Sequence, residues 1–190
     1  MPFVDPLAIM LVAVAASTGI IALYLMGVAR GKRSFANLAI PGFAIGAFDF
    51  FSGLFMSFVW PFPGALAAYN MLFGDPMLFL GIIMLAGSYM LYKGIEIKVL
   101  SLFGFLLGIY LAVETYAMVA LKLETGNNLL AALGLYGFST LAAILSPLVY
   151  LDAKKNKNAY YLLAALLIIA AFFAMLIGVI GIYGHLVSPP

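Results

Sequence analysis

Six long apolar runs, separated by short polar links, constrain this chain more than any other feature of its sequence. A helix needs roughly 20 apolar residues to cross the hydrocarbon core of a bilayer. Apolar residues make up 66% of the 190 positions and charged residues 8%, so a water-soluble fold of this size could not bury the apolar surface. The sequence therefore predicts an all-α polytopic membrane protein. It forms a single transmembrane domain over 1–190, with spans at about 7–29, 37–60, 76–92, 99–121, 128–151 and 159–183.

The basic residues predict how these spans are oriented. Eight of the nine follow span 1, 3 or 5, and only Lys122 falls on the other side. Links rich in Lys and Arg stay in the cytoplasm. We therefore expect a multi-pass protein of the cell (plasma) membrane with both termini outside. Asp5 precedes the first apolar run, which is long enough to span, so the start of the chain is not typical of a cleaved signal peptide.

An internal repeat relates the first two spans to the next two. The residues that recur 62 positions later are Gly19, Ile20, Ile21, Leu23, Leu38, Gly42, Phe43 and Gly46. Because the repeated unit is a two-helix hairpin, both copies have the same orientation, as in transporters with parallel repeats. The sequence predicts a bundle built from repeated helical hairpins, in which spans 5 and 6 would be a more diverged third copy.

Small residues form one stripe on each even-numbered span. The stripe on span 2 consists of Gly42, Gly46, Asp49, Gly53, Ser57 and Trp60. The stripe on span 4 consists of Ser101, Gly104, Gly108 and Thr115, and that on span 6 of Ala164, Ala171, Ala174, Gly178, Gly181 and His185. Small residues at this spacing allow helices to approach closely. Two interpretations stay open: tight helix packing alone, or a narrow passage along these faces.

Asp49 is the residue in this pattern that most strongly suggests function. It lies near the middle of span 2, where a carboxylate is unfavourable by several kcal/mol unless it is protonated, paired or hydrated. No Lys or Arg lies at a comparable depth. We therefore expect either a neutral acid bonded to a neighbouring helix, or an ionised acid that faces water in a pore.

Other polar and aromatic residues extend the candidate path. Glu114, the second acid within a span, shares a face with Tyr110 and is expected to face a side groove, apart from Asp49. Asp75 with Pro76 reads as the N-cap and first-turn proline of span 3. The candidates for the solute path are Asp49, Gly46, Gly53, Ser57, Trp60, Tyr110 and Glu114, and those for its outer mouth are Tyr69, Asn70 and Asp75. A belt of interfacial aromatic residues is predicted at Phe58, Trp60, Phe62, Tyr69 and Phe73.

Several classes of chemistry have no support in the sequence. The chain contains no cysteine and a single histidine, His185, which is read as an interfacial residue. It lacks the motifs of serine hydrolases, zinc proteases and phosphate-binding loops. We therefore expect no catalytic residues, no enzyme activity, no cofactor and no metal site. A net charge of +2 gives no reason to expect nucleic acid as a partner.

Two stretches carry resemblances to known families. The stretch from Leu72 to Val113, with FGDP and SLFGFLLGIYLAV, resembles the amide and urea channel family, which is built from repeated helical hairpins. The segment WPFPGALAAYNMLFGDP, from Trp60 to Pro76, resembles an uncharacterised, largely archaeal family of six-helix membrane proteins. Channels of the urea type use several tryptophans to narrow the pore and a histidine-rich outer loop for acid activation. This chain has only Trp60 and lacks such a loop, so acid gating is not implied.

The leading hypothesis from the sequence is a channel or facilitator for a small polar, neutral solute, by analogy with urea and amides. In the lipid bilayer such a protein is expected to form a homo-oligomer. The alternative is a non-catalytic structural subunit or scaffold, with other membrane subunits as partners. A lipid-binding protein is a third class, and it predicts bound lipid in the grooves between helices.

Overall fold

A computed structural model describes residues 6–187, except the side chains of Ala65 and His185. Within that range six α-helices are long and apolar enough to cross a membrane. They are α1 Leu7–Ala29, α2 Ala36–Val59, α3 Ala68–Lys93, α4 Leu100–Ala120, α5 Gly126–Ile144 and α6 Lys157–Val187. Short 3₁₀ turns occupy Gly64–Leu66 and Ser146–Tyr150. The predicted all-α class with six spans is confirmed. Asp5 and the predicted role of the His185 side chain lie outside what is described.

The helices form a ring in chain order, in which each helix contacts the next and α6 returns to α1. Neighbours run antiparallel: Gly42 of α2 lies at Ser88 of α3, whereas Gly74 of α3 lies at Met56 of α2. Residues 30–35, 94–99 and 145–156 therefore link helices at one end of the ring, which we call the basic end because eight basic residues lie there. The links 60–67 and 121–125 lie at the opposite end.

The contacts around the ring differ in extent. The extensive ones join α2 to α3, α4 to α5, α5 to α6 and α6 to α1, whereas α1 and α2, and α3 and α4, touch sparsely. In three of the extensive contacts, glycines of the even-numbered helix meet the next helix in the ring. A methyl group on Gly46 would lie 2.7 Å from Met84 Cβ, one on Gly108 2.6 Å from the Ile144 nitrogen, and one on Gly178 3.0 Å from the Ala8 oxygen. The small stripes are therefore surfaces of close helix approach.

The third span begins earlier than predicted. Asp75 and Pro76 do not start α3, which runs from Ala68 to Lys93 with Pro76 inside it. A proline within a helix leaves the carbonyl four residues earlier without its partner. Here that carbonyl belongs to Leu72, and the Tyr136 hydroxyl of α5 donates a hydrogen bond to it. The helix continues through the proline because a neighbouring helix replaces the missing bond.

Two further prolines within the spans behave differently from each other. Pro41 lies inside α2. Pro147 does not lie inside α5, because the α-helix ends at Ile144 and a 3₁₀ turn over Ser146–Tyr150 follows. Proline is well tolerated in the first turn of such a segment, where its absent N–H would have no partner in any case. The fifth span thus extends to the basic end in a tighter form.

The predicted aromatic belt is only partly a belt. Phe58 and Trp60 are 77% and 45% exposed, consistent with contact to the lipid interface. Phe62 is buried, and Tyr69 and Phe73 pack against the core, so the prediction was wrong for these three. Their rings face inward because α3 starts at Ala68 and its first turns belong to the bundle.

Candidate functional site

A cavity of about 260 Å³ occupies the middle of the ring and is lined by residues of all six helices. Its volume is many times the roughly 10–15 Å³ that one water molecule requires. Along α1 the lining extends from Leu11 to Val28. At 1.5 Å per residue this corresponds to about 25 Å, which approaches the roughly 30 Å of a bilayer core. The cavity is therefore long and narrow and runs along the helices.

Polar residues are a minority of this lining, and half of its eight hydroxyls already have carbonyl partners. Four lining hydroxyls donate hydrogen bonds to backbone carbonyls, and they belong to Thr18, Tyr136, Ser146 and Tyr160. The Ser101 hydroxyl is buried, and no hydrogen-bond partner for it occurs among the described residues. A hydroxyl that donates to a carbonyl offers little to a polar solute. The surface that the cavity presents is therefore apolar along most of its length.

Lys98 lines the cavity at the basic end. Its ammonium lies 2.8 Å from a carboxylate oxygen of Glu96, and its side chain is 38% exposed. The hydrogen bond from Lys98 to Glu96 raises the pKa of this lysine, so it carries its charge throughout the physiological range. Tyr24 and Tyr160 line the same region. This end of the cavity thus combines the Lys98–Glu96 ion pair with aromatic rings.

Tightly packed apolar residues close the cavity at the opposite end. Leu72, Leu111, Leu135 and Tyr136 belong to one buried cluster and also line the cavity. Three tyrosine hydroxyls tie α3 to its neighbours near this closure. Tyr136 bonds to the Leu72 carbonyl, Tyr110 to Asp75 at 2.6 Å, and Tyr69 to Glu124 at 2.5 Å. These bonds join α3 to α5, to α4 and to the link after α4.

An acidic cluster lies beside that closure and consists of Ser57, Asp75, Tyr110 and Glu114. Asp75 accepts a hydrogen bond from Ser57 of α2 at 2.5 Å on one oxygen and from Tyr110 of α4 on the other. Glu114 lies one helical turn after Tyr110 and is only 7% exposed. In the part of the chain that the structure describes, neither Glu114 oxygen has a hydrogen-bond partner. The cluster thus joins three helices and contains one buried acid without a bond.

Asp49 lies elsewhere, in the sparse contact between α1 and α2. It is fully buried and accepts a hydrogen bond from the Ser17 hydroxyl on one oxygen, while the other oxygen has no partner among residues 6–187. Asp49 is not one of the described residues that line the cavity. The arrangement matches the first of the two states expected from the sequence, an acid bonded to a neighbouring helix. Its role in a solute path stays a prediction.

The remaining candidates fall into two groups. Gly46 and Gly53 contact the backbone of α3, at Leu85 and Leu78 respectively, and Trp60 follows the end of α2. Asn70 is buried and bonds to both the N–H and the carbonyl of Phe62, so it fixes the loop before α3. The structure thus brings Ser57, Asp75, Tyr110 and Glu114 together, and it does not place Asp49 or the glycines with them.

Sequence reasoning did not single out the hydroxyl residues that bond between helices. Tyr136 and Ser146, which line the cavity, and Ser17, which bonds to Asp49, looked like ordinary hydroxyl residues in apolar helices, since their partners lie on other helices. One signal was available for Tyr136. Pro76 within a helix leaves a carbonyl that needs a donor from elsewhere, and a tyrosine on a neighbouring helix is a suitable donor.

Together these features define an all-α protein with six helices around an apolar cavity, each long and apolar enough to cross a membrane. The chain belongs to the family described as a protein of unknown function (DUF981), which it matches over residues 1–188. Neither the curated proteins nor the solved structures contain a significant match. The family assignment agrees with the resemblance to an uncharacterised membrane-protein family, whereas the likeness to urea and amide channels stays a hypothesis.

Proposed function

We propose that this protein binds the hydrocarbon chain of a lipid-like amphiphile in its central cavity, with the polar head group at the basic end. The observation that carries the proposal is the chemistry of the lining. Over about 25 Å the cavity offers mainly apolar side chains, and four of its eight lining hydroxyls are already bonded to carbonyls. A flexible apolar chain fits such a space, whereas a small polar solute would lose its hydrogen bonds to water without replacement.

The affinity for such a chain does not come from the hydrophobic effect. The surrounding bilayer is as apolar as the cavity, so the gain comes from van der Waals packing and from contacts of the head group. Lys98 lines the basic end of the cavity, and eight of the nine basic residues lie in the links or at the helix ends there. Lys and Arg close to a membrane surface attract anionic lipids. We therefore expect an anionic head group.

The proposal includes an orientation and a setting. The basic bias supports a basic end in the cytoplasm, and hence both ends of the described bundle outside, in the plasma membrane. The amphiphile would then enter from the cytoplasmic leaflet. We propose a homo-oligomer and no catalytic step. Purification in mild detergent separates this state from the scaffold alternative, because a scaffold would retain other membrane subunits.

Native mass spectrometry of protein released from membranes tests the binding. We expect one lipid-like molecule per chain in the wild type. Ser139 lines the cavity on α5, so Ser139→Phe fills the space and is expected to remove the bound molecule. Leu141 on the same helix is 49% exposed on the outer surface, and Leu141→Phe is the matched control that retains it. Equal lipid retention in the two variants, or none in the wild type, contradicts the proposal.

A facilitator for a small neutral solute, such as urea or a short amide, is the second candidate. The observation that favours it is the ring of six helices around a space that runs along most of their length. Flux into proteoliposomes tests it with wild type, Asp49→Asn and Ser139→Phe. A path through the cavity predicts that Ser139→Phe blocks the flux, and a path beside Asp49 predicts that Asp49→Asn changes it. Background flux of urea, short amides, ammonia and water in the wild type excludes this candidate.

A further inference from the structure

The acidic cluster at the closed end contains two acids with unequal surroundings. Asp75 accepts hydrogen bonds on both oxygens, from the Ser57 hydroxyl at 2.5 Å and the Tyr110 hydroxyl at 2.6 Å. Because a protonated carboxyl needs an acceptor for its own hydrogen, two incoming donors favour the ionised form. Asp75 is therefore arranged to carry a negative charge between α2, α3 and α4.

Glu114 has none of these bonds, although it is as deeply buried as a core residue. It is 7% exposed, and both of its oxygens lack a partner within the described residues. A carboxylate without hydrogen bonds in such surroundings is unfavourable by several kcal/mol. Glu114 follows Tyr110 by four residues on α4 and lies within electrostatic range of Asp75. An unpartnered acid thus lies beside an ionised one.

The groups around Glu114 supply no positive charge. Those that act on it are Asp75 of α3, Tyr110 of α4 and Tyr136 of α5, all acidic or neutral. Across residues 6–187 the one ion pair joins Lys98 to Glu96, at the other end of the bundle. Two carboxylates this close in a medium of low dielectric constant do not both stay ionised unless a cation joins them.

We infer that Asp75 and Glu114 bind one monovalent cation, a proton or Na⁺, with the Ser57 and Tyr110 hydroxyls as neutral oxygen ligands. A single positive charge between the two acids reduces the repulsion between them. No group of three or more His, Cys, Asp or Glu side chains suited to a metal ion occurs among the described residues. Calcium takes six to eight oxygen ligands and is not served by this set.

The site has a mechanical consequence for the bundle. Tyr110 and Ser57 join α4 and α2 to α3 through Asp75, so a cation that competes for the Asp75 oxygens acts on the contact that closes the cavity. Ion binding and closure are thereby coupled through the same two oxygens. The inference stands on the cluster alone and holds whichever molecule occupies the cavity.

Two measurements on the purified full-length chain test the inference and separate the two cations. Equilibrium binding of radioactive ²²Na⁺ detects sodium, and infrared spectroscopy detects the carbonyl stretch of a protonated carboxyl group. The variants are Glu114→Gln, Asp75→Asn and the milder Tyr110→Phe. Glu124→Gln is the matched control, because Glu124 is an acid near the same end that accepts a hydrogen bond from Tyr69. Asp49→Asn identifies the signal of the other buried acid.

A sodium site predicts one ²²Na⁺ per chain, displaced by protons, with affinity at least tenfold lower in Glu114→Gln and unchanged in Glu124→Gln. A proton site predicts no sodium binding, and one protonated carboxyl signal that Glu114→Gln removes and Glu124→Gln keeps. Tyr110→Phe preserves the shape of the site and is expected to weaken the sodium affinity or shift the signal. Absence of both sodium binding and a Glu114-dependent carboxyl signal overturns the inference.

Discussion

The two faces of α3 differ more than any other pair of surfaces in the molecule. Toward α2, the glycines of α3 touch backbone: a methyl group on Gly81 would lie 2.6 Å from the Phe50 Cα, and one on Gly74 2.7 Å from the Met56 Cβ. Toward α4, the same helix faces the cavity and is joined by hydroxyl bonds near one end. One face is filled by protein along its length, whereas the other leaves room for a ligand.

The difference shows that helices adjacent in the sequence are not always those that pack most closely. The hairpins α1–α2 and α3–α4, which the sequence predicts to be repeats, are each joined by a short link, yet the helices within each hairpin touch sparsely. The close contacts form between one hairpin and the next, where glycines of α2 meet α3 and glycines of α4 meet α5. In lipid a sparse contact within a hairpin is tolerated, since no water gains access to the apolar faces.

Gly81→Ala is expected to have the largest effect, because the added methyl group would collide with the backbone of Phe50. The two helices must separate to make room for the methyl group. Overpacking of this kind typically lowers the free energy of unfolding by roughly 1–3 kcal/mol. We expect a loss of about 2 kcal/mol in the free energy of unfolding in mixed micelles, followed by the fluorescence of Trp60, the single tryptophan. Gly137→Ala is the matched control, since nothing lies within 4 Å of its new methyl group. A loss of equal size at Gly137 would contradict the close contact between α2 and α3.

Tyr110→Phe sharpens the comparison on the other face. It removes the hydroxyl that donates to Asp75 at 2.6 Å and keeps the ring. A hydrogen bond of this kind contributes on the order of 1 kcal/mol. We expect a loss of about that size in the same unfolding measurement. Tyr116→Phe, on an exposed part of the same helix, serves as the control and is expected to change little. Indistinguishable results from the two variants would mean that the hydroxyl bond does not hold α3 to α4.

Gly87→Ala is expected to have the smallest effect. Gly87 lies on α3, like Gly81, but its added methyl group would meet only the end of the Leu100 side chain at 3.2 Å. A flexible side chain can move by a few tenths of an ångström at little expense. We expect a change within about 0.5 kcal/mol. A penalty as large as that of Gly81→Ala would show that both faces of α3 are closely packed, and the comparison would fail.

The sequence was sufficient to predict the six helices. It was not sufficient to predict where a helix starts when a proline lies near that start. Hydropathy located the first span at 7–29, where α1 is found. It misplaced the start of the third, because Asp75 and Pro76 have the composition of a helix start while the compensating donor, Tyr136, lies 60 residues further along the chain. The residues around a helix start cannot predict a hydrogen bond whose donor lies on a helix distant in the sequence.

The candidate site was predictable residue by residue but not as an arrangement. Burial makes any acid within a span a candidate, so Asp49 and Glu114 were found from their positions alone. Which helix faces each acid depends on the order of helices around the ring. That order placed Asp49 against Ser17 in a sparse contact, and it placed Glu114 beside Asp75 and Tyr110. The cavity was not predicted, because it is the space that remains between six helices once they have packed.

The hydrogen bond between Tyr136 and the Leu72 carbonyl has a consequence for the synthesis and membrane insertion of the protein. The chain enters the membrane from its N-terminus, so α3 arrives while α5 is still being synthesised. Until Tyr136 follows, the carbonyl opposite Pro76 is exposed to hydrocarbon without a donor. The early turns of α3 are therefore expected to stay near the water interface. The third span can insert fully only after the fifth span has been synthesised.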